Sequence, residues 1–416
     1  MPQDDKAAST RPILYISYDG LTDPLGRSQI LPYLVGCARR GYRIHILSCE
    51  KPGRFERDRA RVRAICDAAG IGWHPLPYHK APPVVSTMVD LAILRREATR
   101  LHRTHRFGLV HCRSYIAAAA GLDLKRRFRV PLLFDMRGFW PEEKTEGGSW
   151  NLANPFFRLV YRYFKRLESV LLRTSDAVVI LSRAGKAQLL RRPELAGRSN
   201  AISVIPCCVD FDHFPLADAA RRAEARTQLR IPDDAAVLVY LGSLGTWYML
   251  PDMLDCFSVY RERHPGARFL FITLDDPSFI RIEAAQRGIA NDEIVVSPAS
   301  REDVPLFLTA ADLGISFIRP VFSKIASSPT KMGEMLAAGL PIIANSGIGD
   351  IGEIVGETEC GAVIESFHRQ GYERALDGIE RCSVSAERRR ERATTIYDVQ
   401  LGIDAYDRLY QRLLEA

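Results

Sequence analysis

The strongest constraint on the fold is an alternation of apolar β-type segments with helical segments, which occurs twice along the chain. In the first half the β-type segments include RPILYISYD, RIHILSCE and DAVVILS. The pattern breaks around 207–220 and resumes with AVLVYLGS, ARFLFITL, LGISFI and PIIAN. Strands that alternate with helices form parallel sheets with right-handed crossovers. We therefore predict an α/β protein with two doubly wound, Rossmann-like halves joined near 207–215.

Length and composition fit this division. A chain of 416 residues with 47% hydrophobic and 26% charged residues exceeds one ordinary core. No apolar run reaches the eighteen or so residues of a membrane span, and the N-terminal MPQDDKAASTRP lacks the apolar core of a signal peptide. Nine cysteines show no C-x-x-C pair or zinc spacing. We expect a cytoplasmic protein with a disordered lead at 1–11.

The charge is distributed unequally between the halves. Residues 1–208 hold 35 Lys and Arg against 18 Asp and Glu, a balance of +17, whereas residues 209–416 hold 22 against 32, a balance of −10. Such asymmetry indicates that the first half meets something anionic, namely nucleic acid, an anionic membrane surface or a phosphorylated lipid. A solvated basic surface without a partner is the alternative.

The segment SSPTKMGEMLAAGLPIIAN (327–345) predicts a short helix followed at once by a strand. Ser328 suits the N-cap, Pro329 the first helical position and Gly339 a left-handed C-terminal cap. Free N–H groups at such an N-terminus bind anions. Lys331 lies in the first turn, where a cation is unfavourable for the helix. It is interpreted either as a phosphate ligand or as an ordinary surface lysine.

Other candidates lie where predicted strands end. Gly26 in DGLTDPLGRSQ, and Gly242 and Gly245 in GSLGTWYML, allow a backbone to approach a phosphate, although such turns are common. Trp247 and Tyr248, which follow, are interpreted as core, with a cleft wall as the alternative. In HCRSY and DMRGFW, the arginines at positions 113 and 137 suit bidentate binding of phosphate or carboxylate.

Two further patterns are typical of dinucleotide binding and of membrane binding, but we favour another interpretation of each. Residues 347–352 match the dinucleotide fingerprint G-x-G-x-x-G, but they lie in the last unit of the second half, and Glu365 follows only thirteen residues later. The helix predicted at 155–173 mixes aromatic and basic residues. A helix with this composition could lie on an anionic membrane surface. We interpret it as core packing with a basic outer rim.

Together these segments resemble the retaining glycosyltransferases of family 4, over about residues 12 to 410. Glu334 followed by LAAGLPIIAN matches the second of the family's two glutamates, and DPLGRSQILPYL, FDMRGFW, GSLGTWY and SSPTK resemble a bacterial polysaccharide-assembly branch. The resemblance implies the GT-B fold: two Rossmann-like domains facing a cleft. It implies an acceptor-binding domain at 12–208, a nucleotide-sugar-binding domain at 209–390, and a C-terminal helix at 391–416 that crosses back to the first domain.

The resemblance also implies roles for the candidates. Glu334 would bind the ribose hydroxyls and the helix N-terminus ahead of it the diphosphate. Lys331 and Arg137 are assigned to catalysis, and Arg113 and Arg137 to the acceptor. No metal or other cofactor is required. The residues assigned to donor binding are Gly26, Arg27, Gly242, Ser243, Gly245, Thr246, Ser328, Thr330, Lys331 and Glu334.

The sequence departs from the family pattern at several of these positions. The first glutamate falls on Ala326, and the loop positions that usually carry Arg and Lys are Ser243 and Tyr248. Two familiar histidines fall on the arginines at 113 and 137. We expect Lys331 to supply the missing cation, with Lys324 as a second candidate.

The expected function is transfer of a sugar, with retention, from a UDP-sugar or, second, a GDP-sugar. The expected acceptor is a polyprenyl-diphosphate-linked saccharide or another oligosaccharide in exopolysaccharide, O-antigen or capsule synthesis. The enzyme would sit peripherally at the inner-membrane surface and would not bind nucleic acid. A catalytically silent GT-B scaffold in an assembly complex is the main alternative, and a dinucleotide oxidoreductase is a third.

Overall fold

The computed structural model describes residues 11–415, which form two compact units. Unit 1 comprises the described residues up to Pro206 together with those from Val399 onward, and unit 2 comprises Cys207–Asp398. The disordered lead predicted at 1–11 falls, except for Arg11, outside the described residues. Within the described part of the chain, no helix is both long and apolar enough to cross a membrane.

Unit 1 is built around a parallel sheet of seven strands within the described residues, in the order β3-β2-β1-β4-β5-β6-β7. The strands are β1 (Ile13–Ser17), β2 (Ile44–Glu50), β3 (Gly72–Pro77), β4 (Leu109–Arg113), β5 (Leu132–Asp135), β6 (Ala177–Ile180) and β7 (Ile202–Val204). The helices are α1 (Pro24–Gln29), α2 (Leu31–Arg39), α3 (Pro52–Ala68), α4 (Val85–His105), α5 (Ser114–Phe128), α6 (Trp140–Glu146), α7 (Pro155–Thr174) and α8 (Arg183–Leu190).

Unit 2 repeats the design with six parallel strands among its described residues, in the order β10-β9-β8-β11-β12-β13. The strands are β8 (Val237–Leu241), β9 (Arg268–Ile272), β10 (Ile294–Ser297), β11 (Leu313–Ser316), β12 (Ile342–Asn345) and β13 (Gly361–Ile364). The helices are α9 (Ala219–Leu229), α10 (Leu250–Arg263), α11 (Pro277–Ala285), α12 (Val304–Leu308), α13 (Thr330–Ala337), α14 (Ile351–Thr358), α15 (Arg369–Arg381) and α16 (Ala386–Tyr397).

The chain ends in a second helix that belongs to unit 1, α17 (Val399–Glu415). The helix predicted at 391–416 is therefore two helices that part at Asp398. Helix α16 stays with unit 2 because Ala393 and Tyr397 are buried in its core and the Val209 N–H donates to the Tyr397 carbonyl at 2.7 Å. In α17, the Tyr410 hydroxyl lies 2.8 Å from Nδ1 of His111, inside unit 1.

The central strands of both sheets are buried on two faces, which explains their continuous apolar sequences. In β8, Val237, Val239 and Leu241 enter one core cluster of unit 2. Leu238 and Tyr240, which point the other way, enter a second cluster. Because successive side chains of a strand alternate between faces, a strand with a core on each side contains few polar residues. The prediction of two parallel α/β halves is confirmed.

Gly26 lies inside helix α1, whereas the sequence had suggested an open glycine loop. A Cβ at this position would lie 2.2 Å from the Gly20 carbonyl oxygen and 2.5 Å from Leu21 Cα. The close approach that this glycine permits is therefore between α1 and the chain's own loop after β1. Whether the loop also contacts a donor remains a prediction.

Substitution Gly26→Ala should destabilise unit 1 by about 3 kcal/mol, because the backbone atoms that a methyl group would meet cannot move aside as a side chain could. Gly53→Ala is a matched control, since a Cβ there meets nothing within 4 Å. The control should change stability by less than about 1 kcal/mol. Calorimetric unfolding of both variants measures the effect, and equal melting temperatures would contradict this packing.

Candidate active site

The candidate residues cluster where each sheet reverses its strand order. In unit 1 the reversal lies between β1 and β4, and in unit 2 it lies between β8 and β11. In open α/β sheets, ligands bind beyond the carboxyl ends of the strands at such a point. The loop that begins at Gly242 follows β8, and the segment that leads to Lys331 follows β11. Each unit thus presents a separate group of candidate residues at its own switch point.

Lys331 is buried between two tyrosines. Only 8% of the residue is exposed, and its Nζ donates a hydrogen bond of 2.6 Å to the Tyr240 hydroxyl. The same ammonium lies 3.4 Å from the ring centroid of Tyr248 and 4.3 Å from that of Tyr240. Gly242, at φ +99°, completes the pocket, since a Cβ there would lie 3.2 Å from Nζ. The interpretation of Lys331 as an ordinary surface lysine is therefore wrong.

Burial lowers the pKa of Lys331 well below its usual value, although the charges of Glu334 and Asp275 oppose the change. A lysine ammonium is strongly hydrated, so its removal from water into an aromatic pocket is unfavourable. An anion bound beside Nζ would restore the charged form. The pocket is therefore suited to a negatively charged ligand.

Lys324 occupies a second position of the same kind. It is 8% exposed, and its Nζ lies 3.9 Å from the ring centroid of Trp247, the residue before Tyr248. The Arg319 guanidinium lies over the same indole at 5.0 Å. The core interpretation of Trp247 and Tyr248 is thus only partly correct, because both side chains are half-buried and present their faces to cations. Cations over aromatic faces are stabilised electrostatically, more strongly when desolvated.

Glu334 lies one helical turn after Lys331. Its side chain is 16% exposed, and its Oε1 lies 3.8 Å from Nη1 of Arg301. Burial raises the pKa of Glu334 to about 7, against the opposing effects of Arg301 and Lys331. In its ionised form the carboxylate can accept two hydrogen bonds from a vicinal diol. Ala326, where the resemblance implies a first glutamate, is fully buried and provides no such group.

The predicted N-cap role of Ser328 is wrong. The N-cap residue of α13 is Pro329, and the Ser328 hydroxyl instead accepts a hydrogen bond of 3.0 Å from the Cys207 N–H. Through this hydrogen bond, Ser328 holds the start of unit 2 against the segment that leads into α13. Thr330 is the half-buried first residue of the helix, and Gly339 has the expected left-handed backbone at φ +78°.

The remaining predicted donor residues differ in exposure. Ser243, Gly245 and Thr246 are exposed in the loop between β8 and α10, and a Cβ on Gly245 would meet nothing within 4 Å. Two hydrogen bonds between a side chain and the backbone shape this loop: the Tyr240 hydroxyl donates to the Ser243 carbonyl at 2.6 Å, and the Leu244 N–H donates to the Asp275 carboxylate. Arg27 lies in α1 of unit 1.

In unit 1 the predicted arginines surround one buried carboxylate. Asp135, the last residue of β5, is 1% exposed, and its Oδ2 lies 3.7 Å from Nη1 of Arg137 and 4.0 Å from Nη1 of Arg113. The same oxygen accepts a hydrogen bond of 3.1 Å from the Tyr406 hydroxyl. Nε2 of His111 lies 3.7 Å away. The structure therefore brings together the two residues predicted to bind the acceptor.

The electrostatics of this group favour a charged aspartate and a neutral histidine. Burial opposes ionisation of Asp135, yet Arg137, His111 and Arg113 together hold its pKa below the usual value. Burial lowers the pKa of His111. Among the described residues, Nε and Nη1 of Arg113 have no hydrogen-bond partner, although Nε lies 3.5 Å from Asp19. Buried guanidinium N–H groups in this state are suited to a further anionic or oxygen-rich ligand.

Sequence reasoning missed Tyr240, Asp135, Tyr406 and Arg301. A signal for two of them was present: Asp135 ends the apolar strand β5, and Tyr240 is the last residue but one of the apolar strand β8, both at the carboxyl edge. Tyr406 and Arg301 carried no such signal, since their contacts join segments that are far apart in the sequence.

Asp135→Asn should destabilise unit 1 by about 3 kcal/mol at pH 7, because it removes the carboxylate that compensates two buried guanidinium groups. Asp123→Asn, which breaks a more exposed ion pair with Arg95 at 2.8 Å, should cost less than about 1 kcal/mol. Since the pKa of Asp135 is depressed, the wild-type advantage should shrink as pH falls below the ordinary value of 3.8. Thermal unfolding at pH 7 and pH 3 tests both statements; equal losses in the two variants would contradict them.

Comparison with known proteins identifies both units. Residues 27–208 match the family described as a glycosyl transferase 4-like domain, and residues 221–395 match the family described as glycosyl transferases group 1. The chain is 23% identical over 285 residues to a D-inositol 3-phosphate glycosyltransferase of Streptomyces scabiei. That match covers 66% of this chain and spans 60% of the length of the relative.

Solved structures share the architecture along almost the whole chain. Sucrose-phosphate synthase from Thermosynechococcus elongatus has a TM-score of 0.72 at 16% identity, over 97% of this chain and 99% of that one. Anabaena HepE in complex with UDP-glucose has a TM-score of 0.69 at 14% identity, over 96% and 99%. At these identities the likeness establishes the fold. With one glycosyltransferase domain matched in each half, the chain belongs to the family 4 glycosyltransferases of the GT-B fold.

Proposed function

We propose that this protein is a retaining glycosyltransferase that moves a sugar from a nucleotide-diphosphate donor to a polyprenyl-diphosphate-linked saccharide in bacterial polysaccharide assembly. A UDP-sugar is the first choice of donor and a GDP-sugar the second. Unit 2 would bind the donor and unit 1 the acceptor. The UDP-glucose in the HepE structure supports a uridine donor, as a property of a protein with the same fold.

One observation carries the proposal. Unit 2 has an acidic composition and contains only two lysines, Lys324 and Lys331, and both are buried over the faces of consecutive aromatic residues. Buried lysines are rare because desolvation of the ammonium is unfavourable, and a strongly shifted pKa at a sheet switch point is typical of a functional site. A diphosphate is the ligand that would make this arrangement favourable.

The proposed chemistry needs charge stabilisation more than a nucleophile. As the glycosidic bond to the donor breaks, negative charge grows on the leaving diphosphate. Lys331, with Lys324 nearby and the N–H groups of the first turn of α13, would stabilise that charge in a site with little water. Glu334 would hold the ribose diol and so fix the position of the diphosphate. No protein nucleophile and no metal ion are part of this scheme.

The acceptor assignment rests on unit 1. Arg113 and Arg137 flank Asp135 at the carboxyl edge of its sheet, where a phosphate or a sugar hydroxyl could engage their N–H groups. The residues up to 208 carry a balance of +17. A lipid-linked diphosphate and an anionic membrane surface both match this charge.

Helix α7 supports a peripheral position at the cytoplasmic face of the membrane. Its later turns pack into unit 1, but Phe156, Leu159 and Tyr163 are exposed by 50%, 64% and 41%. They lie on one side of the helix, next to the exposed Arg158 and Arg162. Our interpretation of this helix as core packing therefore holds only for its second half. An exposed apolar stripe flanked by arginines is typical of a helix that lies on anionic lipid.

The double substitution Phe156→Ser with Leu159→Ser should reduce partitioning onto anionic phospholipid vesicles by about 10-fold or more, because each side chain loses apolar area that the bilayer would bury. Leu190→Ser, which changes another exposed leucine of unit 1, is the control and should leave partitioning unchanged. Vesicle co-sedimentation measures both. Equal binding of the double variant and the wild-type protein to the vesicles would contradict contact between α7 and the membrane surface.

Transfer itself is the test of the proposed function. The purified protein should transfer labelled sugar from one UDP- or GDP-sugar to a polyprenyl-diphosphate-linked saccharide, and NMR of the product should show the anomeric configuration of the donor. A protein that binds a donor but neither transfers nor hydrolyses it would be the silent scaffold. Inversion of configuration would contradict the retaining assignment.

A further inference from the structure

Three histidines of unit 1 lie near the amino ends of the strands, away from the candidate site at the carboxyl ends. His45 is the second residue of β2 and His74 the third of β3. In the parallel register, His45 is paired with Gly72 and His74 with Leu47, so the two histidines project from the same face as diagonal neighbours. His105, the last residue of α4, reaches the same place from the helix. All three are half-buried, so solvent has access to them.

The ring nitrogens of the three histidines lie close together. Each histidine offers one nitrogen, and the three lie within 4.8 Å of one another. Nδ1 of His45 and Nε2 of His74 are 3.1 Å apart. A tetrahedral zinc ion with Zn–N bonds of about 2.0–2.1 Å places its ligand nitrogens about 3.3 Å apart. One pair therefore already has nearly the required separation, and the third needs a shift of about 1.5 Å at most.

Gly72 keeps the nitrogen of His45 accessible. A Cβ on this residue would lie 2.7 Å from Nδ1 of His45, so any other residue would crowd the nitrogen. An imidazole binds a metal ion in its neutral form. With an ordinary pKa of about 6.5, a histidine side chain is mostly neutral at pH 7.

A purely structural explanation accounts for part of this arrangement. One imidazole of the His45–His74 pair can donate a hydrogen bond to the other across the 3.1 Å separation. The His105 ring packs against His45 in a tilted arrangement, with ring centroids 4.1 Å apart. Phe107 closes the cluster from the side, 5.4 Å from His45. Ring packing explains the contacts between the rings but does not require a nitrogen from each of the three rings to lie within 4.8 Å of the other two.

We propose that His45, His74 and His105 bind one divalent transition-metal ion of the Zn²⁺ class. Imidazole suits Zn²⁺, Cu²⁺ and Ni²⁺, and three protein ligands leave a fourth position for water. The ion would join the edge strand β3 to β2 and to the end of α4. This role is separate from sugar transfer, whose residues lie at the opposite ends of the strands.

The test uses the untagged full-length protein after removal of metals with a chelator. Titration with Co²⁺ should give one ion per chain and the visible absorption of a tetrahedral complex, and Zn²⁺ should displace it. His74→Gln and His105→Gln should each weaken Zn²⁺ binding by more than about 100-fold, since even outer-shell changes cost 10–100-fold in metal affinity. His102→Gln is the matched control: it removes another half-buried imidazole from α4 that lies outside the cluster, and affinity should not change.

Metal-free melting temperatures of the variants check that they fold. His105→Gln keeps the test decisive if His74→Gln fails to fold, because residue 105 is the last residue of a helix and lies outside the sheet. Added Zn²⁺ should raise the melting temperature of the wild-type protein and the control but not that of His105→Gln. Absence of Zn²⁺ and Co²⁺ binding, or binding that survives both substitutions, would overturn the proposal.

Discussion

Substitution Lys331→Met should weaken binding of the nucleotide-sugar by about 100-fold and lower the transfer rate further, while the protein keeps its stability. A charge-assisted hydrogen bond to phosphate contributes about 1.5–3 kcal/mol, or roughly 10- to 150-fold in affinity. Stability should not fall, because methionine fills the space between Tyr240 and Tyr248 without the desolvation that lowers the pKa of the buried ammonium.

Two further variants make this result specific. Arg374→Met removes one positive charge from an exposed position of unit 2 and should leave binding unchanged. Lys324→Met should show an intermediate loss, because its buried ammonium faces Trp247, the residue before the Tyr248 that Lys331 faces. Isothermal titration with UDP-sugars and GDP-sugars measures all three. Full donor affinity in Lys331→Met would contradict a role of the buried lysine in binding the donor diphosphate.

Substitution Glu334→Gln should have opposite effects on stability and on binding. The pKa of Glu334 is raised from its ordinary 4.5 to about 7. Between these values the folded state binds a proton that the unfolded chain has released, so the contribution of Glu334 to the free energy of unfolding falls as pH rises. The variant lacks this dependence. Relative to the wild-type protein it should therefore gain about 2–3 kcal/mol of stability between pH 5 and pH 8.

Donor binding should respond in the other direction. An ionised carboxylate accepts both hydrogen bonds of a ribose diol, whereas a glutamine offers one weaker acceptor. Wild-type affinity should therefore decrease below about pH 7, as Glu334 takes up its proton. Glu334→Gln should bind about 10-fold or more weakly at pH 8 and show little change in affinity toward lower pH. Chemical denaturation and titration at pH 5 and pH 8 test the two parts separately; a variant that binds normally at pH 8 would contradict the ribose role.

The fold was predictable where apolar strands have core on both faces, as in β8. It was less predictable at the edge of the first sheet. Strand β3, GWHPLP, was missed because it is a short edge strand with two prolines and a half-buried pattern, which gives no period-two signal. Helix α1 was read as a glycine loop because Gly26 is required for contact with Gly20 and Leu21, a tertiary reason that local propensity does not contain.

The site was predictable to the extent that single residues violated local rules. Lys331 was identified because a cation in the first turn of a helix is unfavourable. Its aromatic pocket was not predicted, because Tyr240 lies ninety-one positions earlier in the sequence, on strand β8. The histidine cluster was not found, because 45, 74 and 105 are separated by about thirty residues each and meet only through the pairing of β2 with β3 and the end of α4. When a site is formed by the register between two strands, its residues have no fixed spacing in the sequence, so no motif indicates it.

The most direct test of the central claim, that unit 2 binds a nucleotide-sugar through Lys331 and Glu334, is calorimetric unfolding with UDP, GDP, ADP and NAD in parallel. A ligand at about 100 times its dissociation constant stabilises the folded state by roughly 2.7 kcal/mol. For a unit of this size that corresponds to about 5–10 °C. We expect this shift with UDP or GDP alone. At the same ligand concentration it should nearly disappear in Lys331→Met and fall to about half or less in Glu334→Gln. No shift with any nucleotide, or a shift with NAD only, would contradict the donor site.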